Sequence, residues 1–381
     1  MKKIVFFQPY IQKWRYDFLK RFINETESNY KVYSLYGKNE SKKQKAGTYK
    51  NIQGINATSL LSVPIRINIK GQHYPVYWSP FLFMKLLRIR PDVIVTEGEI
   101  NIFNNIAIGL YCKIFNKEYL WWSLGKVRNR NSNIINKLFK PIVNHYLQKS
   151  KFIIARNSLA KKYYLSNFNI NHQKIIIAPN SLDEKAIDLE IAEYEEEANK
   201  LKNKYNGRKI ILFSGAIIKG KRLDDLLYSI NKIKSSINNV LCIIVGDGPE
   251  KSNLEKMVIK LGLEENVMFT GPVYKAVSKY FLIADLVVLP GMGGLVIHHA
   301  MVHSKPIVTR MADGVEEDLV FDGYNGYILR DYDNEKLVEK IMDVINQSEK
   351  INEMGNNSRN IVETRWNMNI MIKQIIKGIE K

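Results

Sequence analysis

The chain has 381 residues, 45% of them hydrophobic, which is too long for one ordinary domain and apolar enough for two cores, so a disordered chain is excluded. Its two cysteines, Cys112 and Cys242, exclude a disulfide framework and a cysteine zinc site. The net charge of +19 is lopsided, because residues 1–180 hold 30 Lys or Arg against 8 Asp or Glu, net +22, while residues 181–381 are at net −3.

No apolar run reaches the ~18 residues that span a bilayer, since Ile100 to Phe115 is interrupted by three asparagines and a lysine. The N-terminus lacks an apolar stretch ending in a small-residue cleavage site. The expectation is a reduced, cytoplasmic chain with no transmembrane helix.

In chain order, short apolar or β-branched runs predict strands at Ile4–Phe7, Lys31–Leu35, Val93–Val95, Tyr119–Trp122, Phe152–Ala155 and Ile175–Ala178, with helix-length segments between them. The same grammar recurs at Ile210–Phe213, Leu241–Val245, Val267–Phe269, Leu286–Leu289, Ile307–Thr309 and Tyr327–Leu329. Strands alternating with helices predict an α/β fold of two Rossmann-like, doubly wound domains, over 1–180 and 181–360. The turn cluster Ala178 to Asp183 marks the boundary, and the segment 361–381 has helical spacing and is expected to pack back on the first domain. The acidic run with Glu193, Glu195, Glu196 and Glu197 reads as a solvated helix face. Ligands of such sheets sit at the carboxyl ends of strands, so this pair would bind between its domains.

Four loops of the second half put glycine directly after a strand. Ser214-Gly215 leads through Lys219, Gly220, Lys221 and Arg222 into an amphipathic helix, a cationic loop suited to phosphate. Gly246-Asp247-Gly248-Pro249 carries part of G-x-G-x-x-G, with Lys251 at the third glycine position, and a plain tight turn is the alternative. Gly291, Met292, Gly293 and Gly294 precede Leu295 to Met301, where close backbone approach and free helix N–H groups suit a diphosphate. Gly271 to Tyr274 lies where a base could stack.

These motifs, together with Asn180 to Asp183, Ala284-Asp285, Pro290, Ala300-Met301, Pro306 to Val308 and Gly323 to Gly326, make residues 175–335 resemble the retaining glycosyltransferases of family 4, the group 1 glycosyltransferases of GT-B fold. The first domain is similar only in outline. The resemblance implies two domains facing across a cleft and transfer of a sugar from a nucleotide-diphosphate donor to a glycan or polyprenyl-diphosphate-linked acceptor, as in bacterial surface polysaccharide synthesis. It implies that Lys221, Gly293 and Gly294 meet the leaving diphosphate and that Gly215, Gly246, Val273, Tyr274, Gly291 and Leu295 line the nucleotide. It gives His299 the ribose, leaves His298 packed or aimed at the sugar, and calls for no metal or other cofactor.

The chain departs from the family in three places. The usual arginine after the first glycine falls on Ala216, so Lys219 or Arg222 is the expected replacement, and the two family glutamates fall on Gly291 and His299. The usual histidine of the first domain is absent from the loops after Val95 and Trp122, where Glu97 and Glu99 are the candidate acceptor or sugar contacts, with helix capping as the equal alternative.

His299 and His303 share a helix face, but with no third ligand identifiable no zinc site is expected. Trp14, Phe18 and Phe22 among Lys13, Arg15, Lys20 and Arg21, and the stretch Phe81 to Arg90, read either as core helices or as faces for an anionic membrane. The expected location is therefore cytoplasmic and peripheral, on the inner face of the cell membrane. Nucleic acid is disfavoured for lack of a recognition motif. A nucleotide-sugar epimerase and an inactive partner-binding subunit are the alternatives.

Overall fold

The structure, a computed structural model, describes residues 1–37, 52–69, 72–98, 101–125 and 139–381. The chain divides into two compact units, Met1–Asn180 with Met368–Lys381, and Ser181–Asn367.

The first unit has the strands β1 (Lys2–Gln8), β2 (Tyr30–Gly37), β3 (Ala57–Leu60), β4 (Val63–Ile69), β5 (Gln72–Trp78), β6 (Val93–Glu97), β7 (Glu118–Ser123), β8 (Phe152–Ala155) and β9 (Ile175–Ile177). Its helices are α1 (Lys13–Thr26), α2 (Leu82–Ile89), α3 (Ile102–Phe115), α4 (Lys140–Lys149) and α5 (Ser158–Asn167). Seven strands form one sheet in the order β3-β2-β1-β6-β7-β8-β9, and β4 pairs with β5 as an antiparallel hairpin. All described pairings in the large sheet are parallel, from Lys2 opposite Tyr30 to Ala155 opposite Ile177. A parallel sheet is covered on both faces, and so runs such as Ile4 to Phe7 are apolar without alternation and wholly buried.

The second unit contains α6 (Glu184–Lys204), β10 (Lys209–Ser214), α7 (Leu223–Ile233), β11 (Val240–Val245), α8 (Lys251–Lys260), β12 (Val267–Gly271), α9 (Ser278–Ile283) and β13 (Leu286–Leu289). It continues with α10 (Leu295–Val302), β14 (Ile307–Arg310), α11 (Glu316–Leu319), β15 (Gly326–Leu329), α12 (Asn334–Ile345) and α13 (Ser348–Thr364). Its six parallel strands run β12-β11-β10-β13-β14-β15, so the strand order reverses between β10 and β13. Asp183 and Asp333 cap α6 and α12 by accepting backbone N–H bonds, from Ala186 and from Glu335 and Lys336 respectively.

One expected boundary moves. The segment expected to be a helix from 361 is split, because Ile361 to Thr364 finish α13 and a new helix, α14 (Met368–Glu380), starts after Trp366 and Asn367. That helix belongs to the first unit, where Met368, Met371, Ile372, Ile375 and Ile379 join Ile4, Phe6, Leu120 and Trp122 in one buried cluster. Gly378 allows the approach, since a Cβ there would lie 2.8 Å from Cδ2 of Leu120.

The two basic, aromatic stretches have different fates. Phe18 and Phe22 of α1 are buried against Phe6, so that apolar stripe is core and not a membrane face. Phe81, Met84, Leu87 and Arg88 of the second stretch are exposed.

Candidate functional site

In the second unit the loops after β10 and β13 leave the sheet side by side, where its order reverses and an open α/β sheet offers a crevice. The β10 loop runs back across the neighbouring strand end. Gly215 N–H donates to Val245 O at 2.9 Å and Ile217 N–H to Asp247 O at 2.9 Å. Gly246 has φ +150°, and a Cβ there would land on the carbonyl oxygen of Gly215. Gly246 is thus a packing glycine under the β10 loop, and this geometry matches the tight-turn reading of its motif.

Lys221 closes the pair of loops. Its Cε lies 3.9 Å from where a Gly215 Cβ would be, and its ammonium donates to the carbonyl oxygen of Met292. Met292 N–H donates back to Gly220 O at 3.2 Å, and a Cβ on Gly291 would meet the backbone of Gly220 and Lys221. Burial lowers the pKa of Lys221 from 10.5, and the Asp313 carboxylate partly offsets this. Gly294, at φ +62°, is the N-cap of α10 and supplies no side-chain cap. The structure thus brings Lys221, Gly215, Gly291, Gly293, Gly294 and the first turn of α10, at Leu295, to one place.

The expected substitutes for the missing arginine differ. Lys219 is exposed on the loop. Arg222 does not face it, because its Nε donates to Asp225 Oδ2 at 2.5 Å and its guanidinium lies 4.3 Å from the ring centroid of Tyr332. Asp225 also takes a bond from the buried Arg310, whose Nη2 donates to Asn334 Oδ1 at 2.7 Å. Arg222 therefore belongs to a structural ion network and not to a phosphate clamp.

The histidines also separate. His298 is fully buried, with Nε2 2.8 Å from Trp366 O, so it is a packed residue and not a sugar contact. His299 is partly exposed, with its ring 4.4 Å from Phe281 and 4.9 Å from His303, edge to face. His303 bonds His299 O through Nδ1 at 2.8 Å and stacks on Phe281, and burial pushes its pKa down to about 4. In the β12 loop Tyr274 is exposed and Val273 half-buried against the core.

Two carboxylates escaped the sequence reading. Asp313 Oδ2 lies 3.8 Å from the Cβ position of Gly294, and Glu316 accepts from Ala312 N and from Gly314 N, the latter at 2.9 Å. Burial, then the neighbouring Asp313, push the Glu316 carboxyl up to about 7. The available signal was positional, since Ala312-Asp313-Gly314 follows β14, the strand beside β13.

In the first unit Glu97 ends β6 and is committed to two arginines, accepting from Arg15 at 3.4 Å and from Arg156. The Arg15 guanidinium stacks 3.7 Å from the centroid of Trp122. Burial, then repulsion from Arg156, hold Arg15 well below the ordinary arginine value. Glu97 is therefore the counter-ion of a buried cation pair and not an unengaged acceptor contact, while Glu99 lies outside the described residues.

With this geometry in place, the comparisons become specific. Over its whole length the chain superposes on HepE of Anabaena in complex with UDP, at TM-score 0.74 and 16% identity, covering 99% of that chain. The class is thus the GT-B glycosyltransferase fold. Residues 194–361 match the family model described as glycosyl transferases group 1. An uncharacterized glycosyltransferase of Methanocaldococcus jannaschii is 25% identical over 333 residues, 84% of this chain and 80% of that one. A poly(ribitol-phosphate) alpha-N-acetylglucosaminyltransferase of Staphylococcus aureus is 26% identical over 251 residues, 63% of this chain and 50% of that one.

Proposed function

We propose that the chain is a retaining glycosyltransferase that moves a sugar from a nucleoside-diphosphate sugar to a glycan or polyprenyl-diphosphate-linked acceptor at the cytoplasmic face of a membrane. The observation that carries this reading is the half-buried Lys221 ammonium held between the loops after β10 and β13, beside the uncapped start of α10. When the bond from the sugar's anomeric carbon to the diphosphate breaks, negative charge grows on the leaving oxygen. A fixed cation and backbone N–H groups stabilise that charge without reorganisation. With retention, the acceptor hydroxyl adds on the face the diphosphate leaves, and the leaving phosphate oxygen can take its proton. Crystal structures of HepE with UDP and with UDP-glucose make a uridine nucleotide the first donor to test. A neutral His299 can accept a ribose hydroxyl. No metal is assigned a role.

A panel of nucleotide sugars, assayed for nucleotide release with and without membrane extract, tests the reading. Release that depends on acceptor, with a product of the donor's anomeric configuration, is the expected result. An isomerised donor identifies an epimerase. Absence of both release and binding identifies an inactive subunit, the reading favoured by Gly291 and His299 at the glutamate positions.

A further inference from the structure

Helices α2 and α3 carry an apolar surface that no other element covers among the described residues. Met84 is 54% exposed, Leu110 50% and Ile114 57%, and Phe81, Leu87 and Ile106 are exposed beside them. At 100° per residue, Ile106 and Leu110 point opposite the buried Ile108, as Met84 does relative to the buried Leu86. The two stripes are continuous. Phe83 of α2 meets Tyr111 of α3 with ring centroids 6.3 Å apart, Leu87 follows Phe83 on the same edge of α2, and Ile114 follows Tyr111 on the facing edge of α3. Single exposed apolar residues are ordinary, whereas a contiguous patch marks a contact surface.

The charge on these helices selects the partner. From Ser79 to Pro91 and from Asn101 to Lys117 there is no Asp or Glu, while Lys85, Arg88, Arg90 and Lys113 stand among the apolar side chains. Arg88 follows Met84 by one turn, and Lys113 is next to Ile114. A second copy of the chain seated symmetrically here would set a patch that carries Arg88 and Lys113 and no carboxylate against the same cationic patch. An anionic bilayer instead accepts the apolar side chains among its acyl chains and the cations among its headgroups.

We infer that the α2–α3 face docks the enzyme on an anionic lipid bilayer, with Met84, Leu110 and Ile114 inserted and Arg88 and Lys113 at the headgroups. This rests on the proposal that the enzyme works at a membrane, and the two separate in one experiment. The full chain is sedimented with vesicles of phosphatidylcholine alone and of phosphatidylcholine with phosphatidylglycerol, and UDP binding and melting are read on the same samples. The parent should sediment with the anionic vesicles only. Met84→Glu combined with Leu110→Glu should weaken that binding about tenfold or more, and Arg88→Ser combined with Lys113→Ser should abolish the preference for phosphatidylglycerol. Leu189→Glu, in the second unit and still more exposed to water, should bind like the parent.

A label placed by Met84→Cys gives a second reading that needs no loss of function, because both native cysteines are buried, and its emission should shift blue on anionic vesicles. If the parent binds while both double variants bind equally well, the face is wrong. If the parent binds no vesicle, the membrane reading itself fails. A parent dimer that the Met84→Glu, Leu110→Glu variant dissolves would assign the patch to a second copy and overturn the inference.

Discussion

Replacing Lys221 by methionine keeps most of the half-buried stem and removes only the ammonium. A charge-assisted hydrogen bond to phosphate is worth about 1.5–3 kcal/mol. Here the ammonium would trade its bond to Met292 O for the phosphate, so the lower part of that range applies, about 1.5–2 kcal/mol. Nucleotide affinity should then fall roughly 10- to 30-fold. The empty protein should change by less than about 1 kcal/mol, because the cost of burying the charge leaves together with its bond, which is a shift of a few degrees in Tm for a domain of this size. The pH dependence gives a second check. Burial lowers this lysine below 10.5, and a bound diphosphate would raise it again, so nucleotide and proton bind together and UDP affinity of the parent should drop as the lysine deprotonates on the alkaline side. Lys221→Met should lack that alkaline drop. Calorimetric titration with UDP at neutral and alkaline pH, with melting of the empty chain alongside, measures all three quantities. Unchanged affinity in a folded variant, or the same alkaline loss in both proteins, refutes the reasoning.

Two further outcomes follow from packing. Gly246→Ala would put a methyl on the carbonyl of Gly215 at φ +150°, so denaturant melting should show a loss of about 2–5 kcal/mol, and a tolerated alanine would contradict the close approach of the two loops. His303 is held neutral by burial with its pKa down to about 4, and burial also lowers that of His298. The unfolded chain takes up protons near pH 6.5 that the folded one refuses, so stability should be present above that pH and lost as pH falls from 6.5 toward 4, by about 2 kcal/mol at pH 5 for His303 alone. Urea melting of the parent and of His303→Gln at neutral pH and near pH 5 checks this, and equal slopes would remove His303 as the cause.

All twelve strands expected from apolar runs are present, most of them one or two residues longer than the run. They were legible because strands buried on both faces cannot alternate with polar residues. β3, β4 and β5 were not, since Ala57 to Leu60 is short and half polar, and β4 and β5 mix Pro64, Arg66, Asn68, Gln72 and His73 into a hairpin outside the main sheet. In the site, Lys221 and the glycines were legible because loops after strands are local in sequence. Arg222 was misread although its partner Asp225 stands three residues on. Glu97 was misread because its partners, Arg15 and Arg156, are supplied by distant segments that no local spacing announces, and Trp366, equally distant, decides for the packed one of the two readings of His298. Asp313 and Glu316 were missed for a related reason, because the nearness of their loop to Gly294 follows from strand order.

The placement of α14 has a consequence for how the protein is made. The first unit lacks part of its interior until Met368 to Glu380 leave the ribosome, whereas everything in Ser181–Asn367 is available earlier. At ~5–20 residues per second, the chain after Asn180 takes roughly 10–40 s to synthesise. During that interval the sheet of the first unit exposes the side chains that Met371, Ile372 and Ile375 later cover. The nascent N-terminal half then presents apolar surface of the kind chaperones bind, and the order of completion is the reverse of the order of translation.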